Sequence, residues 1–236
     1  MTVFGNLESK TYQRSHRLPP AVRNLWRRLE EPVSSLSHLF GLFLACSGWA
    51  ALLYLSWGEI EKSVVFSIYG ATMAMTYAAS AALHSLPRHR AWRHFLLRLD
   101  HAAIFLYIGG TYTPVCWLCL EPGTGRPMLA VMWSLALAGV LFKILFIHAP
   151  HWLSTASYWL ISMAAIALVW PLLQILPPEA IAWMFLGGAC YFFGSFVFYF
   201  RKPNPFPGLF GFHEIWHFMV LAGTGCHLML MLRFIA

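Results

Sequence analysis

From residue 35 onward this chain divides into seven apolar stretches, each about the 20 residues that a helix needs to cross a hydrocarbon core. They cover roughly 35–57, 63–86, 99–120, 128–147, 152–176, 180–200 and 209–235. In lipid every backbone N–H and C=O must find a partner within the chain, which restricts such segments to helices. Turn chemistry or charge marks each break: Gly58-Glu59, Pro87-Arg88, Glu121-Pro122-Gly123, Ala149-Pro150, Pro177-Pro178 and Lys202-Pro203-Asn204-Pro205. Composition agrees, with 59% apolar and 11% charged residues, against about 25% charge in a soluble domain. The expectation is an all-α integral membrane protein, a single seven-transmembrane helix bundle without internal repeats. Pro114 and Pro171 should kink their spans, and Gly109-Gly110 and Gly187-Gly188 should allow close helix contact.

Charge sets the expected orientation. Of the 16 Lys and Arg residues, all but Lys62, Arg126 and Arg233 fall on the side of the amino terminus. That side is expected to be cytosolic and the carboxyl terminus to be outside, in the cell (inner or plasma) membrane. The net charge of +7 gathers beside the apolar stretches, so it reads as an orientation signal and not as a nucleic-acid surface. Residues 1–34 read as a basic cytosolic arm ahead of the seven-span domain, residues 35–236. Residues 1–30 lack the apolar core of a signal peptide. Residues 19–31 suit a short interfacial helix with Trp26 and Leu29 inward and Arg23, Arg27 and Arg28 toward headgroups. The five Cys all lie within apolar segments, so Cys116 and Cys119 read as small apolar residues rather than a redox or zinc motif.

Chemistry concentrates at one end of the bundle. The second span ends with Ser80 and His84, one turn apart on one face. The third begins with Leu99-Asp100-His101, where Asp100 is the only Asp of the chain. The last begins near Leu209 and carries His213 and His217, spaced i, i+4, at about 6–12 Å below the headgroups. Two such His residues bind one metal, and His84 from another helix leaves the fourth position open, as in a catalytic zinc site. Zinc is the expected cofactor, because imidazoles with one carboxylate suit it. Asp100 then reads as the general base, and Ser80 either as a support for the ligands or as a hydrogen-bond donor to an anionic intermediate. Two simpler readings compete: each His is satisfied within the bundle, or Asp100 pairs with Arg93 or Arg98 at the interface.

His213-Glu-Ile-Trp-His217 also fits the H-E-x-x-H pattern of zinc proteases, with Glu214 as base, which makes an intramembrane protease a minor alternative. His227 turns about 80° from the face of His217 and reads as structural. His89, His94, His148 and His151 read as solvated; His38, at similar depth to the cluster, reads as a helix-start hydrogen-bonding residue, with support of the cluster's ligands as the alternative.

These residues resemble the hemolysin III group of the progestin and adipoQ receptor family. Glu31-Pro-Val-Ser34-Ser-Leu-Ser37-His38 is similar to its E-x-x-N-x-x-T-H motif, with Ser34 and Ser37 in place of Asn and Thr. Ser80-Ala-Ala-Leu-His84 is similar to its S-x-x-x-H. Leu99-Asp100-His101 followed by Gly110-Thr-Tyr-Thr-Pro114, and then His213-Glu-Ile-Trp-His217, follow in the same order on the same spans. The resemblance implies seven spans with the amino terminus inside, zinc on His84, His213 and His217, and Asp100 beside the bound water. Eukaryotic relatives are adiponectin receptors, linked to ceramidase activity, and the wider superfamily includes alkaline ceramidases.

The expected function is therefore a zinc-dependent hydrolase of a lipid amide or ester, with the bilayer and a lipid substrate as partners and no nucleic acid. The alternative is a receptor, sensor or membrane-homeostasis protein with a structural zinc. A haemolytic or cytolytic role is a further alternative. The residues carry no signal of oligomeric state.

Overall fold

A computed structural model describes residues 31–85, 90–164, 166–207 and 210–236, the side chains of Arg90 and Ala91 apart. The basic arm of residues 1–30 with its expected interfacial helix, the Pro87-Arg88 turn with His89, and Leu209 lie outside the described residues. The helices are α1 (Pro32–Leu55), α2 (Ile60–Ser85), α3 (Arg90–Pro114), α4 (Pro122–Leu145), α5 (His151–Met163), α6 (Ile166–Leu173), α7 (Pro178–Phe200) and α8 (Phe212–Leu230). π-helical turns extend α3 over Val115–Cys119 and α8 over Met231–Ile235. With α5 and α6 forming one crossing, seven segments are long and apolar enough to span a membrane, as the sequence predicts. The protein is a multi-pass membrane protein.

Helix boundaries follow local chemistry. Pro32, Pro122 and Pro178 sit in the first turns of α1, α4 and α7, where a missing N–H has no partner to lose. Hydropathy alone therefore places the start of α4 too late, because the helix begins before its apolar stretch does. The same error is larger in α3, which begins at Arg90 and not near residue 99. Asp100 consequently lies well inside a helix rather than at its mouth. Pro114 ends the regular part of α3: it cannot donate to the Gly110 carbonyl, and the chain widens into a π turn. α5 ends at Met163 with a turn at Ala164, and Pro171 lies within α6.

Neighbours in the bundle pack as α1 on α2, α2 on α3, α3 on α4, α5 on α7 and α7 on α8, and α8 returns to close on α1. Between helices in lipid the hydrophobic effect contributes little, so close packing and interhelical hydrogen bonds hold the bundle. Phe66, Tyr69, Met73 and Tyr77 of α2 are fully buried at its centre. Thr76 Oγ1 donates to the Ala103 carbonyl of α3 at 3.1 Å, and Tyr158 Oη of α5 donates to the His101 carbonyl at 3.2 Å. The outer surface is apolar, with Phe40, Phe43, Leu141 and Phe193 exposed, as a lipid-facing surface requires. Exposed Trp57, Trp92, Trp152 and Trp170 lie near helix ends, the positions of an interfacial belt.

Three of the four paired glycines meet a neighbouring helix as expected, whereas Gly188 faces open space. A Cβ on Gly110 would collide with Thr72 Oγ1, which is held against α2 by hydrogen bonds to the Ile68 and Tyr69 carbonyls. Gly110→Ala is expected to destabilise the bundle by about 1–3 kcal/mol, the usual range for overpacking. Thermal unfolding in detergent measures it, and an unchanged midpoint would show that Thr72 moves aside freely.

Candidate metal centre

Three imidazoles meet where α2 and α8 approach the same end of the bundle. His84 lies in the last turn of α2, and His213 and His217 lie in the first two turns of α8. One nitrogen from each can be chosen so that all three lie within 4.8 Å of one another. The ring centroids are 5.0 Å apart for His84 and His213, 4.8 Å for His84 and His217, and 4.8 Å for His213 and His217. His84 and His217 are buried, and His213 is partly exposed. Because α8 starts at Phe212 and not at Leu209, His213 is the second residue of its helix. The pair thus sits nearer the helix mouth than the sequence predicts.

Local chemistry fixes that mouth. Arg201 closes α7 in the left-handed conformation, with φ 55°. Asn204 then accepts a hydrogen bond from the Phe212 N–H at 3.1 Å and donates to the Arg201 carbonyl at 3.0 Å. Glu214 at the third position of α8 accepts the Gly211 N–H at 2.8 Å, and Ser34 Oγ donates to its other oxygen at 3.4 Å. Both oxygens of Glu214 are therefore engaged in capping α8 and tying it to α1. This weighs against Glu214 as the base of a protease-like H-E-x-x-H site.

Asp100 is 15% exposed at its side chain and sits on α3, which packs against α2. Its Oδ2 lies 3.6 Å from His101 Nδ1, but that nitrogen donates to the Leu97 carbonyl at 2.9 Å. His101 is thus held by its own helix. Ser80 is buried one turn before His84.

The first helix adds two residues to the cluster: Glu31, which the sequence alone does not place there, and His38, which the sequence places at matching depth. His38 is buried, with its ring 3.8 Å from that of His217 and edge-on to Tyr77 at 5.1 Å. Neither nitrogen of His38 has a hydrogen-bond partner among the described residues. Glu31 meets the other two rings: its Oε2 lies 2.9 Å from His84 Nδ1 and 3.3 Å from His213 Nδ1. Burial alone would raise the Glu31 carboxyl, but contact with His84 and the nearby His213 and Arg93 hold it down at about 2. One signal existed for both residues. Glu31, Ser34, Ser35 and His38 form an i, i+3, i+4, i+7 polar stripe on an otherwise apolar helix. Ser37 adds a bond from its Oγ to the Ser34 carbonyl at 3.0 Å, so the two serines that depart from the family pattern still form hydrogen bonds.

The remaining histidines divide. His227 stacks on Tyr191 at 5.7 Å and abuts Gly187, a packing role as expected. His94 and His148 are exposed, but His151 is not simply solvated, since it stacks on Phe198 at 5.3 Å. Lys143, counted among the headgroup-side cations, is buried with its amine over the Phe142 and Tyr158 rings.

A tetrahedral zinc site with bonds of about 2.0–2.1 Å holds its nitrogens about 3.3 Å apart. Three atoms within 4.8 Å of one another share a centre no more than about 2.8 Å away, so an inward shift of about 0.9 Å by each closes the set to that spacing. The buried Nδ1 of His217 has no hydrogen-bond partner among the described residues. A cluster of imidazoles with an unsatisfied nitrogen fits a divalent cation.

Residues 26–228 match the protein family described as Haemolysin-III related. The chain is 35% identical over 197 residues to the Hemolysin-3 homolog of Bacillus subtilis (strain 168), spanning 83% of this chain and 89% of that protein. It is 32% identical over 197 residues to Hemolysin-3 of Bacillus cereus, spanning 83% and 87% respectively.

Proposed function

The chain belongs to the Haemolysin-III related family, and on that footing we propose that it is a zinc-dependent hydrolase of a lipid amide or ester. The observation that carries this reading is the convergence of His84, His213 and His217 within 4.8 Å, with the chain's only Asp on α3, the helix packed against α2. These three residues would hold the ion, whose chemistry is Lewis-acid activation of a water and of the scissile carbonyl.

The protein's own groups account for the rest. Asp100 accepts the proton of the attacking water and returns it to the leaving amine or alkoxide. Ser80 donates a hydrogen bond to the oxygen that becomes anionic as the carbonyl is attacked. The lipid-facing surface allows the acyl chain to remain in the bilayer while its polar linkage reaches the triad, from the inner leaflet in the expected orientation.

A second reading is a receptor or sensor with a structural ion. It is favoured by Glu31, whose oxygen at 2.9 Å and 3.3 Å from two ligand rings puts a fourth donor close to the cluster. A closed four-ligand set is the structural pattern, and an open one the catalytic pattern.

Purified protein in lipid nanodiscs should release fatty acid from a ceramide or a lysolipid ester, lose that activity on chelation, and regain it with zinc. No zinc-dependent release from either substrate class would overturn the hydrolase reading.

A further inference from the structure

The carboxylate of Glu31 occupies a place that neither hydrolysis nor helix capping explains. Its Oε2 is buried and has no aligned hydrogen bond among the described residues, although His84 Nδ1 and His213 Nδ1 stand 2.9 Å and 3.3 Å away. A buried carboxylate oxygen requires donors, and these two ring nitrogens from two different spans are at hydrogen-bonding distance or just beyond it.

The backbone makes this placement rigid. Glu31 N–H donates to the His84 carbonyl at 3.3 Å, which pins the residue to the end of α2. Pro32 follows at once with its fixed φ and opens α1. Ser35 and Ser85 hydroxyls then bond to each other at 2.5 Å, a second tie between α1 and α2. On the other flank Ser34 bonds to Glu214 of α8. The start of α1 is thus fastened to both helices that carry the triad, and α1 packs along both.

Imidazole ligands need one nitrogen deprotonated toward the ion, and a carboxylate on the other nitrogen selects that tautomer and fixes the ring plane. We propose that Glu31 is the positioning residue of the metal centre. One carboxylate oxygen accepts the Nδ1–H of both His84 and His213, which leaves Nε2 of each ring as the ligand atom. This rests on the triad's being a metal site, but not on its hydrolysing anything. Glu31 also places a negative charge beside the cation and so offsets the charge brought into the bundle.

The test is zinc affinity, measured on the full chain in detergent by competition with a fluorescent zinc chelator. Glu31→Gln keeps the shape of the side chain and removes its charge. It is expected to weaken zinc binding by about 10- to 100-fold, the usual effect of losing such a partner. The thermal midpoint of the metal-free protein should stay at the wild-type value, and the cobalt(II)-substituted variant should keep the wild-type visible spectrum. Equal zinc affinity in wild type and Glu31→Gln would overturn the proposal. A fall in affinity matched by a fall in metal-free stability would assign Glu31 to the fold alone, and overturn it too. A changed cobalt spectrum would make Glu31 a ligand rather than a positioning residue, and so also refute it. A wild type that binds no zinc removes the metal site itself. A wild type that binds zinc but hydrolyses nothing removes only the enzymatic reading.

Discussion

Asp100→Asn is expected to keep about one zinc per chain while losing lipid hydrolysis by about 10²- to 10⁴-fold, the usual contribution of a general base. The substitution preserves the shape of a side chain that is 15% exposed, so packing should change little. What it removes is the capacity to take a proton at neutral pH. The Leu97 carbonyl holds His101 through Nδ1, which leaves its Nε2 as the other proton acceptor nearby. Metal content by elemental analysis and turnover of a ceramide separate the outcomes. Unchanged turnover would remove Asp100 from the proton-transfer step. Loss of zinc together with activity would instead make Asp100 part of the metal's support.

His217→Ala should lose stoichiometric zinc altogether, and with it the stabilisation that a ligand bound only to the native state confers. At free zinc 100-fold above Kd that stabilisation is about 2.7 kcal/mol. Chelation should therefore lower the thermal midpoint of the wild type and leave the midpoint of His217→Ala where it was. His84→Ala and His213→Ala are expected to behave alike, since three nitrogens within 4.8 Å are close enough to share one ion. Of the three, His217 has the most to lose, because it is 2% exposed and its Nδ1 has no hydrogen-bond partner among the described residues. A wild-type protein without stoichiometric metal, or variants that still respond to chelation, would contradict the metal site.

Much of this was legible locally. A helix in lipid must be long, apolar and internally bonded, so its existence can be read from one stretch of residues at a time. The His213 and His217 pair was legible for the same reason, since i, i+4 spacing puts two side chains on one face whatever surrounds them. Errors fell where hydropathy and helix formation part company. Helices α3 and α4 begin in polar sequence, because a helix does not end where hydrocarbon does.

The sequence by itself determined that the chain is a membrane bundle of seven crossings and that three histidines and one aspartate are its candidates for chemistry. Periodicity and composition are properties of single segments and need no partner to be read. Only the tertiary structure decided that α1 lies against both α2 and α8, and that its start brings Glu31 against His84 and His213 and its second turn brings His38 against His217. That neighbour relation depends on how helices far apart in sequence pack around one another, through Gly–side-chain contacts and hydroxyl bonds that no single span contains. A glutamate at a helix start has many uses in isolation; against two imidazoles from different helices it has a specific one.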